Sequence, residues 1–338
     1  MTKDIAILIY PGCMGVEVFA LTDLMLVANH LAAAIHPGKY APVRIKLVTL
    51  RPSPVAVAGG MEVLAQRLRG GPDLLVVPGL DVTQFGHWDD RLANVHQELA
   101  AIRRWHAAGI AMAGVCIGSF LLAEAGVLEG RRATTAWPFA REFQARYPDV
   151  QVEKDAVLLS DGGVITTGAV SSVLDLGLHL VRDNFGAVVA RATGKLALVD
   201  GGRASQRPYV DSALIPQERA LFSAKVNRWL AARLGELYSL PALADAFHTT
   251  SRTMLRRYRQ ETGSTPLKWL QQTRIEKARH LLELSSMSLS EVAGNVGYQD
   301  LATFSRLFVR EAGQSPGQYR RKYQLRRSDH ESQSLARE

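Results

Sequence analysis

In the last third of this 338-residue chain one pattern is written twice, about fifty positions apart. The first copy runs from Ser239 to Pro266 (SLPALADAFHTTSRTMLRRYRQETGSTP), the second from Ser288 to Pro316 (SLSEVAGNVGYQDLATFSRLFVREAGQSP). Thr250 matches Asp300, Met254 matches Phe304, Arg256 matches Arg306, and Tyr258 matches Phe308. Glu261, Gly263 and Pro266 recur as Glu311, Gly313 and Pro316. Each copy reads as a short helix, a tight turn, a capped second helix and a Gly/Pro stop, which is a helix-turn-helix unit. Two such units on a basic background imply a binder of duplex DNA.

In the first unit Leu240, Leu243, Ala244 and Phe247 are expected inside, and Ala244 is small enough for two helices to cross closely. Thr250 is the expected N-cap, since its hydroxyl can accept an orphan backbone N–H. From there Met254 and Tyr258 turn inward, while Ser251, Arg252, Leu255 and Arg256 form the face that enters a major groove. Arg252 and Arg256 stand one helical turn apart, and arginine is suited to the paired acceptors of guanine. In the second unit Asp300 is the cap and Phe304 and Phe308 are core. Leu301, Ala302, Ser305 and Arg306 form its exposed edge, poorer in donors, with Leu301 and Ala302 suited to thymine methyls. A helix over 265–284, apolar at Leu267, Leu270, Ile275, Ala278, Leu281 and Leu282, is the expected rigid spacer.

The net charge of +8 is unevenly placed. Residues 1–204 hold 19 basic and 19 acidic side chains, residues 205–338 hold 21 and 13, so the whole excess sits beside the repeats. Two cysteines, Cys13 and Cys116, exclude a disulfide framework and fit a reducing compartment. No apolar run reaches the roughly 18 residues of a membrane span. The N-terminal MTKDIAILIYPG lacks the pattern of an export signal and reads as a first strand, so a cytoplasmic protein with no membrane partner is expected.

From the start to about residue 195, strand-like and helix-like segments alternate, as in an α/β domain with a mainly parallel sheet. Strands are expected at 5–10, 43–50, 74–79, 110–116 and 163–168, and helices at 17–34, 89–107, 118–125, 138–146 and 171–184. Residues 200–216 lack periodicity and read as a linker between a first domain (1–199) and a helical one (217–324) that opens with a helix over 217–234. The polar tail 325–338 is expected to be disordered.

One segment of the first domain carries chemistry. In AGVCIGS (113–119) a strand delivers Cys116 into a sharp turn at a helix start, the shape of a nucleophile elbow. Backbone N–H groups aimed at a thiol lower its pKa, and a second such group is available at Gly79. Glu17, after the first strand, admits two readings: a pocket polar group able to hydrogen-bond the sulfur, or a surface carboxylate at a helix start, near the positive end of the macrodipole. Cys116 admits three roles: nucleophile, pocket wall or redox-sensitive thiol, or plain buried cysteine. His179 reads as a core histidine and Asp175 as a helix-surface or pocket-edge group. His87, His96 and His106 show no ligand spacing, so neither metal nor cofactor is expected.

Two resemblances attach to these residues. Residues 217–323, with both cores, both caps and the closing GQSPGQYRR, resemble the AraC-type DNA-binding domain. That likeness implies a spacer helix that sets two recognition helices in successive major grooves. Residues 4–195, through IAILIYPGCMGVEVF, the elbow and TTGAVSSVLDLGLHLV, resemble the ThiJ/PfpI branch of the class I glutamine amidotransferase-like fold, which implies a flavodoxin-like sheet. The order of the two is similar to GlxA-type transcription regulators. In enzymatic relatives a histidine after the elbow helix is base to the cysteine; here that position is Ala136, before Trp137. A thiol without its imidazole is a poor hydrolase, because proton shuttling contributes about 10²–10⁴-fold.

The combined expectation is a transcription activator, not an enzyme, whose first domain dimerises and binds a small effector around Glu17, Gly79, Cys116, Ile117 and Trp137. The resemblance implies a nitrogen-containing metabolite such as an amino acid or betaine. Operator DNA, RNA polymerase and a second copy of the chain complete the expected partners. A cysteine-dependent amidase or hydrolase with an appended DNA anchor, and a structural DNA-bound adaptor without ligand, stand as alternatives.

Overall fold

Short runs of aliphatic residues, each closed by a turn, build the sheet of the first unit. The protein is described from a computed structural model covering residues 4–68, 70–81, 88–211 and 222–324. Its chain divides into two compact units, 1–206 and 207–338.

In the first unit β1 (Asp4–Leu8), α1 (Gly15–Ile35), β2 (Arg44–Val48), β3 (Val55–Ala56), β4 (Glu62–Val63) and β5 (Leu74–Val77) come first. There follow α2 (Trp88–Ala93), α3 (His96–Ala107), β6 (Ala111–Gly114), α4 (Gly118–Glu124), β7 (Arg132–Ala133), α5 (Ala140–Arg146) and β8 (Gln151–Val152). The unit closes with β9 (Leu158–Asp161), β10 (Val164–Thr167) and α6 (Ser172–Leu196). The main sheet has the order β2-β1-β5-β6-β10-β9, parallel except for the edge strand β9. Ile5–Leu8 and Leu74–Val77 are buried at every position, as strands covered on both faces must be. With the short hairpin β3–β4 set aside, the parallel strands follow the flavodoxin-like order, whose C-terminal edge is the usual place for a site.

Three expectations need correction. Residues 89–107 form two helices, because Asn94 and β-branched Val95 break the run and Val95 N–H turns back to Leu92 O at 3.2 Å. The helix expected over 171–184 continues to Leu196 through a kink at Gly186 (φ 84°, ψ 173°). Third, α1 is by length and composition long and apolar enough to cross a membrane, an 18-residue stretch of it having a mean hydropathy of 1.7. Its apolar residues are interrupted by Glu17 and Asp23, so no single run announces it; it packs on α6, where Leu21 and Leu24 close on Gly177.

The second unit is helical: α7 (Phe222–Ala231), α8 (Leu240–Ala246), α9 (Ser251–Thr262), α10 (Pro266–Leu284), α11 (Leu289–Asn295), α12 (Leu301–Ala312) and α13 (Pro316–Tyr323). Of the helix expected over 217–234, residues 217–221 lie outside the described residues and the rest ends at Ala231. The tail 325–338 also lies outside them. Two small cores share α10. Leu270 joins Val226, Leu230, Leu243, Ala244, Met254 and Tyr258 of the first repeat. Ile275, Ala278 and Leu282 join Val292, Val296, Phe304, Phe308 and Tyr319 of the second. Leu267, expected on the apolar stripe, is exposed, since it points off the face that buries Pro266 and Leu270, about 100° round the helix from Pro266.

Where the two cores adjoin on α10, the buried Arg274 donates to Leu234 O (2.8 Å), Glu236 O (2.5 Å) and Gly297 O (3.2 Å). Leu234 and Glu236 lead into α8, and Gly297 lies in the turn of the second repeat, so one guanidinium ties both repeats to the spacer. Arg274→Ala leaves three carbonyls without this donor, and is expected to destabilise the helical unit by about 2–4 kcal/mol in denaturant titration. The exposed Lys268→Ala is expected to stay within about 0.5 kcal/mol of the parent chain.

Candidate functional site

Local capping chemistry sets both groove-facing helices. Thr250 Oγ1 accepts from Thr253 N–H (3.3 Å) at the start of α9. Asp300 accepts from Ala302 N–H (3.1 Å) and Thr303 N–H (2.7 Å) at the start of α12. Its hydrogen bonds with the Thr303 hydroxyl, then with the backbone of Thr303 and Ala302, hold the carboxyl below its ordinary range. The helices end at Gly263 (φ 65°) and Gly313 (φ 71°), the left-handed stop expected of such positions. Met254, Tyr258, Phe304 and Phe308 are buried, so the opposite faces are presented to solvent.

On α9 Arg252 and Arg256 are exposed, with Ser251 and Leu255 half-buried beside them. Among the described residues neither arginine makes an ion pair, whereas the adjacent Arg257 is tied to Glu261 (3.8 Å) and lies over the Phe222 ring. The helix therefore sets Arg257, held within the unit, apart from Arg252 and Arg256. On α12 Leu301, Ala302 and Arg306 are exposed and Ser305 is half-buried. Arg306 is steadied by Thr303 Oγ1 at 3.3 Å. Leu301, at the N-terminal tip of α12, is 41% exposed.

At the C-terminal edge of the sheet, Glu17 follows β1, Gly79 follows β5 and Cys116 follows β6. The elbow is present: Cys116 has φ 55°, a left-handed conformation that costs a non-glycine residue of order 1–3 kcal/mol. Gly118 makes the turn possible, since a Cβ there would overlap Val77 O and Pro78 O. Gly79 lies against Ile117, and its N–H donates to Glu17 Oε2 at 2.6 Å, so that N–H is engaged rather than open to a ligand.

Electrostatics at the elbow run opposite to the expectation for an activated thiol. Cys116 is completely buried, and burial, followed by the adjacent Glu17 carboxyl, pushes its pKa well above the ordinary thiol value. The Ile117 backbone N–H works the other way but is outweighed. Burial likewise raises Glu17 to about 8 and the nearby Cys13 to about 11. The thiol and carboxyl are in electrostatic contact, yet Glu17 Oε1 has no partner in normal hydrogen-bond geometry.

Of the expected ligand residues, Glu17, Gly79, Cys116 and Ile117 are brought together, all buried. Trp137 is half-buried and connects through another set of groups: its N–H donates to Gln206 Oε1 at 3.3 Å. Ala136 is buried at the start of the turn Trp137–Phe139. Ser119, Thr135, Thr167 and Gln206, which line the back of the elbow, carried no signal in the sequence. A groove of about 650 Å³ lies elsewhere, along the second half of α6, lined by Arg182, Arg191, Lys195 and Leu198. His87 lies outside the described residues; His179 is half-buried beside Asp183 (3.4 Å) rather than in the core. Among the described residues no group of three or more His, Cys, Asp or Glu is placed to hold a metal ion.

An elbow-bearing α/β domain joined to two helix-turn-helix units defines a DNA-binding transcription regulator of the AraC/GlxA type. Residues 3–183 match the DJ-1/PfpI family, to which the chain belongs, and residues 243–322 match the helix-turn-helix domain. The chain is 27% identical over 331 residues to the HTH-type transcriptional regulator CdhR of Pseudomonas aeruginosa, covering 95% of this chain and 92% of that one. It is 28% identical over 235 residues to the HTH-type transcriptional regulator GlxA of Rhizobium meliloti, covering 65% and 68%. Over 92 residues, 27% of this chain and 33% of the relative, it is 42% identical to the HTH-type transcriptional activator RhaS of Escherichia fergusonii.

The raised acid of Glu17 has a definite sign. The folded chain holds a proton that the unfolded chain releases above about 4.5, so this group's contribution to stability is complete below that pH and is lost as pH rises through about 8. Glu17→Gln removes the titration and keeps an acceptor for Gly79. Its melting temperature relative to the parent chain is expected to rise between pH about 5 and about 9, by about 3 °C or more. A constant difference across that range in calorimetry would place the Glu17 proton elsewhere.

Proposed function

We propose that this chain is a sequence-specific transcription activator that reads two successive major grooves of its operator and answers to a small metabolite. The observation that carries the reading is the pair of capped helices with outward Arg252, Arg256 and Arg306 on the unit that holds the whole basic excess. Ser251 and Leu255 on α9, and Leu301, Ala302 and Ser305 on α12, complete the two contact faces. The first face, richer in donors, is assigned more of the base reading, and the second more of the phosphate and methyl contact. The activator assignment is supported by the likeness of the helix-turn-helix unit to the transcriptional activator RhaS, and RNA polymerase is the partner it implies. The setting is the cytoplasm.

The first domain (1–199) is assigned to effector binding and dimerisation, with 200–216 as linker and 217–324 as DNA reader. The convergence of Glu17, Gly79, Cys116 and Ile117 at the C-terminal edge of the sheet, with Trp137 beyond it, supports this cluster as the place where an amino acid or betaine engages. The same cluster speaks against a hydrolase: the thiol is sealed and held protonated, and Ala136 stands where a base would be needed. Dimerisation is supported by the outer face of α1. There Val16, Phe19 and Leu26 are exposed, and Phe19 and Met61 converge beside Gly15. Two linked DNA-binding units gain affinity through effective concentration.

Arg252→Ala and Arg256→Ala are each expected to weaken operator binding by about 1–3 kcal/mol where a base is contacted. Fluorescence anisotropy on the genomic site should show this while binding to random duplex changes less. Unchanged operator affinity in both variants would move the docking face off α9. Leu26→Arg is expected to shift the chain toward monomer in sedimentation velocity without altering its helical content. An unchanged sedimentation profile would remove α1 from the dimer contact.

A further inference from the structure

The expected linker does not leave the first unit as free chain. Arg203 is paired with Asp175 and donates to Ser171 Oγ (3.0 Å) and Ser171 O (3.1 Å). Ser205 bridges Ala156, and Gln206 N–H donates to Asp155 O at 2.7 Å. Gln206, the last residue of the first unit, is only 3% exposed, rare for a glutamine at a domain boundary.

Its carboxamide fills a crevice whose polarity matches it atom by atom. The nitrogen donates toward Thr135 O (2.9 Å), Ala156 O (2.9 Å), Lys154 O (3.2 Å) and Thr134 Oγ1 (3.4 Å). The oxygen accepts from Ala169 N–H (3.0 Å) and Trp137 N–H (3.3 Å). Carbonyls surround one end and N–H groups the other, so the amide cannot be turned round. Gly168 lies against it, where a Cβ would overlap the amide carbon. The crevice also joins the elbow. Thr135, whose carbonyl Gln206 reaches, has its hydroxyl 2.8 Å from Ser119 Oγ, and both hydroxyls lie within reach of Cys116 O (2.9 and 3.2 Å).

We propose that this crevice is a primary-carboxamide site of which Gln206 is the resident, displaceable ligand. A small molecule bearing a primary carboxamide takes the same six polar contacts and releases the strap 203–206, shifting the point at which the chain leaves the first unit. An N,N-dialkylated amide lacks the two protons that face the carbonyls and is excluded. The inference goes beyond the regulator reading and does not depend on it, since no nucleic acid enters its test.

The test follows tryptic cleavage after Arg203 by mass spectrometry, in the full-length chain. Gln206→Ala is expected to be cut about ten- to a hundredfold faster, because cleavage tracks the open population once several hydrogen bonds are gone. Gln206→Glu, which sets a carboxylate against three carbonyls, is expected to do the same, and thermal melts show whether each variant is folded. Acetamide has the size of the group that Gln206→Ala deletes and is expected to slow cleavage of that variant. In the wild-type chain excess acetamide competes with Gln206 and is expected to speed cleavage; N,N-dimethylacetamide is expected to do neither. Wild-type cleavage rates in both variants, no acceleration of the wild-type chain by acetamide, or equal behaviour of the two amides would each overturn the proposal. The wild-type arm holds even where a variant fails to fold.

Discussion

The helical unit depends on one shared element. Helix α10 is at once the wall of the first repeat's core, through Leu270, and of the second's, through Ile275, Ala278 and Leu282. Each core is too small to be self-sufficient, with about half a dozen large side chains apiece. Sharing a rigid rod lets each borrow surface, and it fixes the second repeat relative to the first. Arg274 completes the arrangement by giving its guanidinium to carbonyls of both repeats, where an apolar side chain would leave those groups unpaired. Arg279, also buried, repeats the device toward Val210 O and Glu311 O.

The α/β unit turns on a competition between shape and solvation. The elbow geometry of a nucleophile is retained, down to the left-handed Cys116 and the close approach of Gly118 to β5. Reactivity, however, needs the charged thiolate, and removing water from both Cys116 and Glu17 disfavours either charge. The result is a buried cluster in which both groups are held in their neutral forms. The same turn carries Ser119 against Thr135, and so links the buried cluster to the boundary at Gln206.

Much of this was legible before any coordinates. Spacing of Leu, Met and Phe around Thr250 and Asp300 identified both repeats, their caps and their inner faces, because a helix end must satisfy its own N–H groups locally. The elbow was legible because a strand, a cysteine and two small residues in sequence leave few backbone paths. Short strands at 132–133 and 151–152 were not, since two residues give no periodicity to read. The fate of the glutamine at 206 was not legible either: its six polar partners come from residues 37 to 72 positions away.

The sequence by itself therefore determined what local physics can decide: which segments turn, cap and alternate, and where the basic excess falls. Only the tertiary structure decided which charges survive. Burial of Cys116 against Glu17, the sorting of Arg256 from Arg257, and the lodging of Gln206 all depend on groups that meet across the fold. The reason is that solvation and hydrogen bonding are set by what surrounds an atom in space, and no spacing along a chain records that.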